Sequence, residues 1–233
     1  IGGADPNVKA ELRPPSIKAA LRFWYRAVDP AYRQLDDKKR LNEARIFGGT
    51  GKTEGQAIFL LTQDKVITGN DLWRKEEYEC LNKDHPDKLA TTLAGDNSWT
   101  LNGNTYLGFS LKMGDNIRKS IPADKSFTIK LLFKERPNEQ DRKRIIAALW
   151  LLGHIGGLGS RSRRGFGTIA LQSWKVAEGN EWPEMSELTI AHGEQTPATW
   201  KDKFEHGLRK LQEWFGNNPN IDHTVFGTQT SFY

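Results

Sequence analysis

Gly153-His-Ile-Gly-Gly-Leu-Gly-Ser-Arg-Ser-Arg-Arg-Gly-Phe-Gly167 is the stretch whose reading decides how this chain is organised. Six glycines, two serines and three arginines share its fifteen positions. Glycine lets a backbone enter φ > 0 and come close to another backbone. Arg161, Arg163 and Arg164 carry planar forks of N–H donors that suit phosphates. Glycine and arginine are interleaved here, so the stretch reads as a loop that lies along a polyanion. Its contacts would be Gly156, Gly157, Gly159, Ser160, Arg161, Ser162, Arg163, Arg164 and Phe166. The plainer reading is a flexible, solvated basic turn.

An apolar, helix-like run, Ile145–Leu152, leads into the loop, and a strand-like run, Thr168–Trp174, leads out. Further upstream, Pro137–Leu152 reads as one helix that opens with charge. Ser126–Glu135 and Tyr106–Met113 alternate apolar and polar residues, as half-buried strands do, and Gln56–Gln63 is an apolar run of strand length. Ile17–Asp29 carries Ile17, Leu21, Trp24 and Val28 on one helical stripe, with Ser16 as its N-cap after the Pro14-Pro15 stop. Ala31–Phe47 reads as a second, more polar helix. Ile1–Pro6 resembles the end of a strand entering a Gly-Gly turn.

The order (strand)–helix–strand–strand–helix–strand is the split βαβ layout, which predicts an α+β, ferredoxin-like (RRM-like) domain over residues 1–175. Residues 64–104 are polar and read as an insertion with one short helix. Residues 176–233 read as a linker plus a helical extension, Ala198–Phe215, or as an incomplete second ferredoxin-like domain. Because the chain opens on Ile1, a fragment or processed form is expected, with an N-terminal strand missing or partial.

The chain has 233 residues, 37% of them hydrophobic, with eight tryptophans, which is enough to bury a core. Basic residues outnumber acidic ones 34 to 29, a mild excess that permits nucleic acid without demanding it. The single cysteine, Cys80, rules out an internal disulfide and fits a reducing, cytoplasmic setting. No run of about 18 apolar residues exists, so no membrane span is expected.

Several chemistries fail on spacing. Gly51-Lys52-Thr53 resembles the end of a P-loop, but the opening glycine would fall at Ile46 and the strand–loop–helix order is inverted. His85, His154, His192, His206 and His223 are dispersed, so no metal and no cofactor is expected. His154, at the mouth of the loop, is a candidate general base on a ribose 2′-OH; a histidine ending a helix more often caps carbonyls. Asp5 is a lesser candidate for metal-assisted RNA cleavage, and beside Pro6 it is more simply a turn former. Arg164-Gly165-Phe166-Gly167 matches the start of the RNA-recognition octamer, but Thr168 and Leu171 stand where further aromatics belong.

Three pieces together resemble a known family. Gly156–Gly167 is similar to the glycine-rich loop of the repeat-associated mysterious proteins, the RAMP superfamily. Leu12–Lys18 with Leu21–Arg26, and the Ile46–Gly51 glycine turn, resemble head subunits of type III-B (Cmr) CRISPR effector complexes. The resemblance covers roughly Ile1–Trp174. It implies two ferredoxin-like domains and a non-catalytic, RNA-binding role in antiviral defence. Such a subunit caps the filament near the guide 3′ end and holds guide and target RNA beside other RAMP subunits. Endoribonucleases of the same superfamily usually need a histidine by the first helix, and Arg13–Arg26 has none. An RNA-processing endoribonuclease and a purely structural assembly subunit are the alternatives.

The residues themselves supply a matching pattern. Lys18, Arg22 and Arg26 recur at i, i+4 and i+8, where like charges repel by a few tenths of a kcal/mol per pair. Such a row faces either solvent or an anion. With Arg13 and the loop arginines it reads as one RNA groove, whose backbone contacts carry no sequence information.

Overall fold

Pro14 and Pro15 open a helix instead of stopping one. α1 runs Pro14–Val28 in the structure, a computed structural model that describes residues 7–28, 37–49, 57–71, 80–82, 89–90, 99–101, 112–113 and 116–215. A proline lacks only an N–H that has no partner in the first turn anyway. Ser16 therefore lies inside that turn, its N–H bonded to Arg13 O at 3.0 Å, and is not the expected N-cap. The buried face is Ile17, Leu21, Tyr25 and Val28. Tyr25 takes the place expected for Trp24, which is only half-buried.

The remaining elements are α2 (Asp37–Phe47), β1 (Ala10–Leu12), β2 (Phe59–Gln63), β3 (Ile67–Gly69), β4 (Cys80–Asn82), β5 (Leu89–Ala90), β6 (Trp99–Leu101), β7 (Lys112–Met113), β8 (Asn116–Ile117), β9 (Ile129–Phe133), α3 (Glu139–Ile155) and α4 (Pro197–Phe215). The chain is thus α+β, with small antiparallel sheets. It divides into two compact units: Ile1–Ser16 with Gln63–Thr128 and Leu158–Thr168, and Ile17–Thr62 with Ile129–Gly157 and Ile169–Tyr233.

In the first unit β1 pairs antiparallel with β3, Glu11 opposite Thr68. β4 sits between β5 and β6, and β7 pairs with β8. The described part of the 64–104 stretch therefore holds the short strands β3 to β6, with no helix among those residues. Of the expected strand Tyr106–Met113, Lys112–Met113 is described and forms β7; Tyr106–Leu111 lies outside the described residues.

The second unit holds β2 against β9. Lys134 N–H bonds to Ile58 O at 2.7 Å, and, just past the strand ends and within the first unit, Asp64 N–H bonds to Thr128 O at 3.1 Å, so the strands run in opposite directions. This places Phe59 across from Phe133, their rings 5.6 Å apart. Tyr25, Phe47 and Phe59 continue the series edge to face, at 5.2 and 5.5 Å. The expected strand Thr168–Trp174 does not form. Residues 169–174 join no sheet, and Leu171 N–H bonds to Gly153 O of α3 at 2.8 Å. An apolar run alone does not make a strand; here the backbone of Leu171 is taken up by the last turn of α3 instead of by a neighbouring strand.

α4 lays Phe204, Leu208, Leu211 and Phe215 against Val28, Ile146, Ala147, Trp150 and Leu151 in one buried cluster. Trp150 stacks on Phe204 at 5.2 Å, and its indole N–H donates to Thr189 O at 2.7 Å. Residues 176–215 thus carry a short 3₁₀ helix, Pro183–Glu187, and α4, with no strand among them.

Among the described residues of this unit three carboxylates are buried, and arginine meets each. Glu184 takes Arg142 at 2.6 Å. Asp141 takes Arg45, which also reaches Glu135 at 3.0 Å. Glu43 takes both Arg22 and Arg26, the latter at 2.7 Å. Side-chain exposure is 3% for Glu43 against 33% and 44% for Arg22 and Arg26, so the two sides of the cluster are unequal. Removing both arginines strands a carboxylate away from water, whereas removing Glu43 leaves cations that water reaches. Arg22→Ala with Arg26→Ala is expected to cost about 3–5 kcal/mol. Glu43→Gln, which keeps an acceptor, should cost less than about 2 kcal/mol. Urea denaturation measures both, and equal costs would refute the asymmetry.

Candidate nucleic-acid interface

α3 begins at an Asn138 cap whose side chain accepts from Asp141 N–H at 2.8 Å. It runs to Ile155, past the expected end at Leu152, so Gly153 and His154 belong to its last turn. His154 Nδ1 lies 2.7 Å from Trp150 O, and its Nε2 lies 3.1 Å from the amide nitrogen of Ala191. A carbonyl only accepts and an amide N–H only donates, so the ring is neutral with its proton on Nδ1. It stacks on Trp150 at 4.2 Å. Burial lowers its pKa below the ordinary imidazole value, against the opposing effect of the Trp150 carbonyl. The candidate base on a ribose thus has both nitrogens engaged inside the protein.

The loop proper, Leu158–Thr168, is closed by Leu158 N–H on Gly167 O at 2.8 Å. A 3₁₀ turn, Ser162–Arg164, sits within it between two left-handed residues, Arg161 (φ 61°, ψ 20°) and Gly165 (φ 84°, ψ −4°). Arg164 N–H returns to Arg161 O at 2.8 Å, and Thr168 Oγ1 donates to Gly165 O at 2.9 Å. Arg163 and Arg164 are exposed on this turn, while Arg161, Ser162 and Phe166 are half-buried. Ser160 is exposed and accepts from Arg118 Nη1 at 2.7 Å. Arg118 was not legible as a loop partner, because it lies 42 residues upstream with no periodic signal. Gly159 is exposed, Gly157 half-buried, and Gly156 is buried against Trp24 and Leu152.

The other candidates divide between the units. Arg13 is exposed and belongs, with the loop from Leu158 onward, to the first. Lys18, Arg22, Arg26, Gly156 and Gly157 belong to the second. There the basic row has its anion within the chain, since Arg22 and Arg26 both bond to Glu43. The spacing of the row hinted at an anion; nothing in the sequence pointed to Glu43. Lys18 instead holds its Nζ 5.1 Å over the Phe59 ring. Asp5 lies outside the described residues. Among the described residues no three His, Cys, Asp or Glu side chains gather as metal ligands, and no helix is long and apolar enough to cross a membrane.

Residues 1–170 match the family described as the RAMP superfamily. The chain is also similar to a protein of Pyrococcus furiosus described as CRISPR system Cmr subunit Cmr1-1, with 28% identity over 168 residues. That alignment takes in 69% of this chain and 40% of the relative.

Two predictions follow from the geometry of the loop and the histidine. At Gly167 φ is +66° and a Cβ would run into Leu158 O, whereas at Gly165 φ is +84° and the space is open. Gly165→Ala should cost about 1 kcal/mol, the left-handed penalty alone. Gly167→Ala should cost at least about twice that, because strain and clash add. Thermal denaturation ranks them, and the reverse order would mean that the Leu158–Gly167 closure does not hold the loop. His154 has a folded pKa below its unfolded value of about 6.5. Its contribution is therefore complete above that pH and lost as pH falls toward the folded pKa. His154→Phe keeps the stack but removes the titration, so the variant's stability should fall less than wild type between pH 7.5 and 5. Parallel pH profiles would sink this.

Proposed function

The chain belongs to the RAMP superfamily, and from that membership we propose that it is a non-catalytic, RNA-binding subunit of a type III-B CRISPR effector complex. The observation that carries the reading is the closed glycine loop with Arg163 and Arg164 exposed on a turn held between two left-handed residues. Such a turn offers a phosphate two exposed guanidinium forks. The described name of the Pyrococcus relative supports the complex. On this reading the helices and antiparallel pairs belong to a ferredoxin-like domain, and the partners are guide RNA, target RNA and other RAMP subunits in the cytoplasm. The chain caps the filament near the guide 3′ end.

The non-catalytic part rests on His154, whose nitrogens are both committed to Trp150 and Ala191. Taking a proton from a ribose would first require breaking a buried hydrogen bond, which costs about 1–3 kcal/mol.

Phosphate contacts make binding fall steeply with salt, by about 0.7 in the log–log slope per contact on a single strand. Arg163→Glu with Arg164→Glu should lower the slope by about 1.4 and weaken binding of single-stranded RNA by at least tenfold at 150 mM salt, with unchanged circular dichroism. Fluorescence polarisation with labelled RNA at several salt concentrations reads both. Binding equal to wild type would remove the loop from the interface, and a wild-type chain that binds no RNA would favour a subunit that contacts only protein.

A further inference from the structure

The glycine loop has a neighbour from far along the chain. Arg118 Nη1 donates to Ser160 Oγ at 2.7 Å. Both residues are exposed, and both belong to the first unit. The arm that carries Arg118 is fixed on either side of it. Before it, β8 pairs with β7, Ile117 opposite Lys112. After it, Ser120 N–H bonds to Asp71 O at 2.8 Å, and the Ser120 hydroxyl donates to the same oxygen at 3.3 Å. Gly69 of β3 lets the arm come this close, because a Cβ there would run into Ser120 O. Arg118 is thus carried to the loop by an arm packed on β3, and Ser160 receives it.

The kind of ligand follows from the donors that remain. The bond from Nη1 leaves the Nε–Nη2 edge of the guanidinium open, and among the described residues no carboxylate meets it. That edge takes two oxygens side by side, the geometry of a bound phosphate. Arg22, Arg26, Arg45 and Arg142 differ, since each ends on a carboxylate of the chain. The described residues of the first unit hold ten Lys and Arg against four Asp and Glu, an excess that favours an anion from outside the chain. Chain length alone keeps Ser160 within about 11 Å of Arg163, so one stretch of polyanion spans both. We propose that Arg118 is a further contact of the glycine loop to a backbone phosphate of single-stranded RNA, and that Ser160 positions it. This rests on the RNA-binding reading above. It extends the site from residues adjacent in sequence to an arm 42 positions upstream.

The test uses the intact chain and labelled poly(U). Arg118→Gln keeps an amide donor for Ser160 but removes the charge. It should lower the log–log salt slope by about 0.7, one phosphate on a single strand, with an unchanged melting curve. A residue that only props the loop would leave the slope as it is. Arg118→Lys keeps the charge and should keep the slope, while losing the two-pronged contact and several-fold in affinity. In wild type, Arg118 should react with phenylglyoxal when free and be protected several-fold by poly(U), as read by mass spectrometry. An unchanged slope in Arg118→Gln, or equal modification with and without poly(U), overturns the contact and leaves Arg118 as a prop for the loop. If Arg118→Gln binds as wild type while Arg163→Glu with Arg164→Glu does not, the contact falls and the RNA reading stands. If wild type binds no poly(U), both fall.

Discussion

A carboxylate cannot be buried alone, and the second unit is arranged around that constraint at Glu43. Leaving one charge of a buried pair unmatched costs several kcal/mol, so the packing of α2 on α1 is possible only where Arg22 and Arg26 stand on adjacent turns to receive it. The like-charge repulsion along α1, a few tenths of a kcal/mol per pair, is small beside that. Two residues on, Arg45 repeats the arrangement in the opposite sense, carrying a guanidinium to the buried Asp141 of α3. Asn42 lies between, donating to the Tyr25 hydroxyl at 3.1 Å and toward Asp141 at 3.4 Å. A helix with little apolar surface is thereby tied to two neighbours. Its apolar contribution, Ile46 and Phe47, follows from the orientation those charges fix.

The same logic shows which parts of the fold could be read from sequence. α1, α3 and α4 declare themselves because a 3.6-residue period is a local signal, and β2 and β9 because short apolar or alternating runs are too. What failed was whatever depends on a partner far along the chain. Thr168–Trp174 reads like a strand, but its backbone meets the last turn of α3, where Leu171 N–H bonds to Gly153 O. Trp24 and Tyr25 compete for one buried position on α1, and Phe47, 22 residues away, selects the ring that meets it edge to face. Proline misled in the other direction, since Pro14 and Pro15 read as a stop but are compatible with a first turn.

The candidate site divides in the same way. The loop was legible because glycine at fixed positions is a backbone statement, and Gly165 and Gly167 do take left-handed conformations there. The basic row was half legible. Its spacing indicated an anion, and the anion is a residue of α2 separated from Arg22 by 21 positions in a segment with no periodicity to single it out. His154 was legible as a position but not as a chemical state. The neutral tautomer follows from Ala191, which the sequence places 37 residues later.

These outcomes bear on how cationic surface should be counted in such a chain. Net charge gives every arginine equal weight, but the structure does not. Arg22, Arg26, Arg45 and Arg142 are committed to carboxylates within the fold. Their removal would weaken any ligand binding by unfolding the protein, which is no evidence of contact. Arg163 and Arg164 are held differently, on a turn fixed by backbone conformation at Arg161 and Gly165. Their forks are exposed while the main chain beneath them is closed by its own hydrogen bonds. A polyanion meeting that turn would find donors already in place, with little conformational entropy left to lose on binding. Contacts made this way, by guanidinium to phosphate, are indifferent to base sequence, as a surface must be if it is to accept one RNA after another.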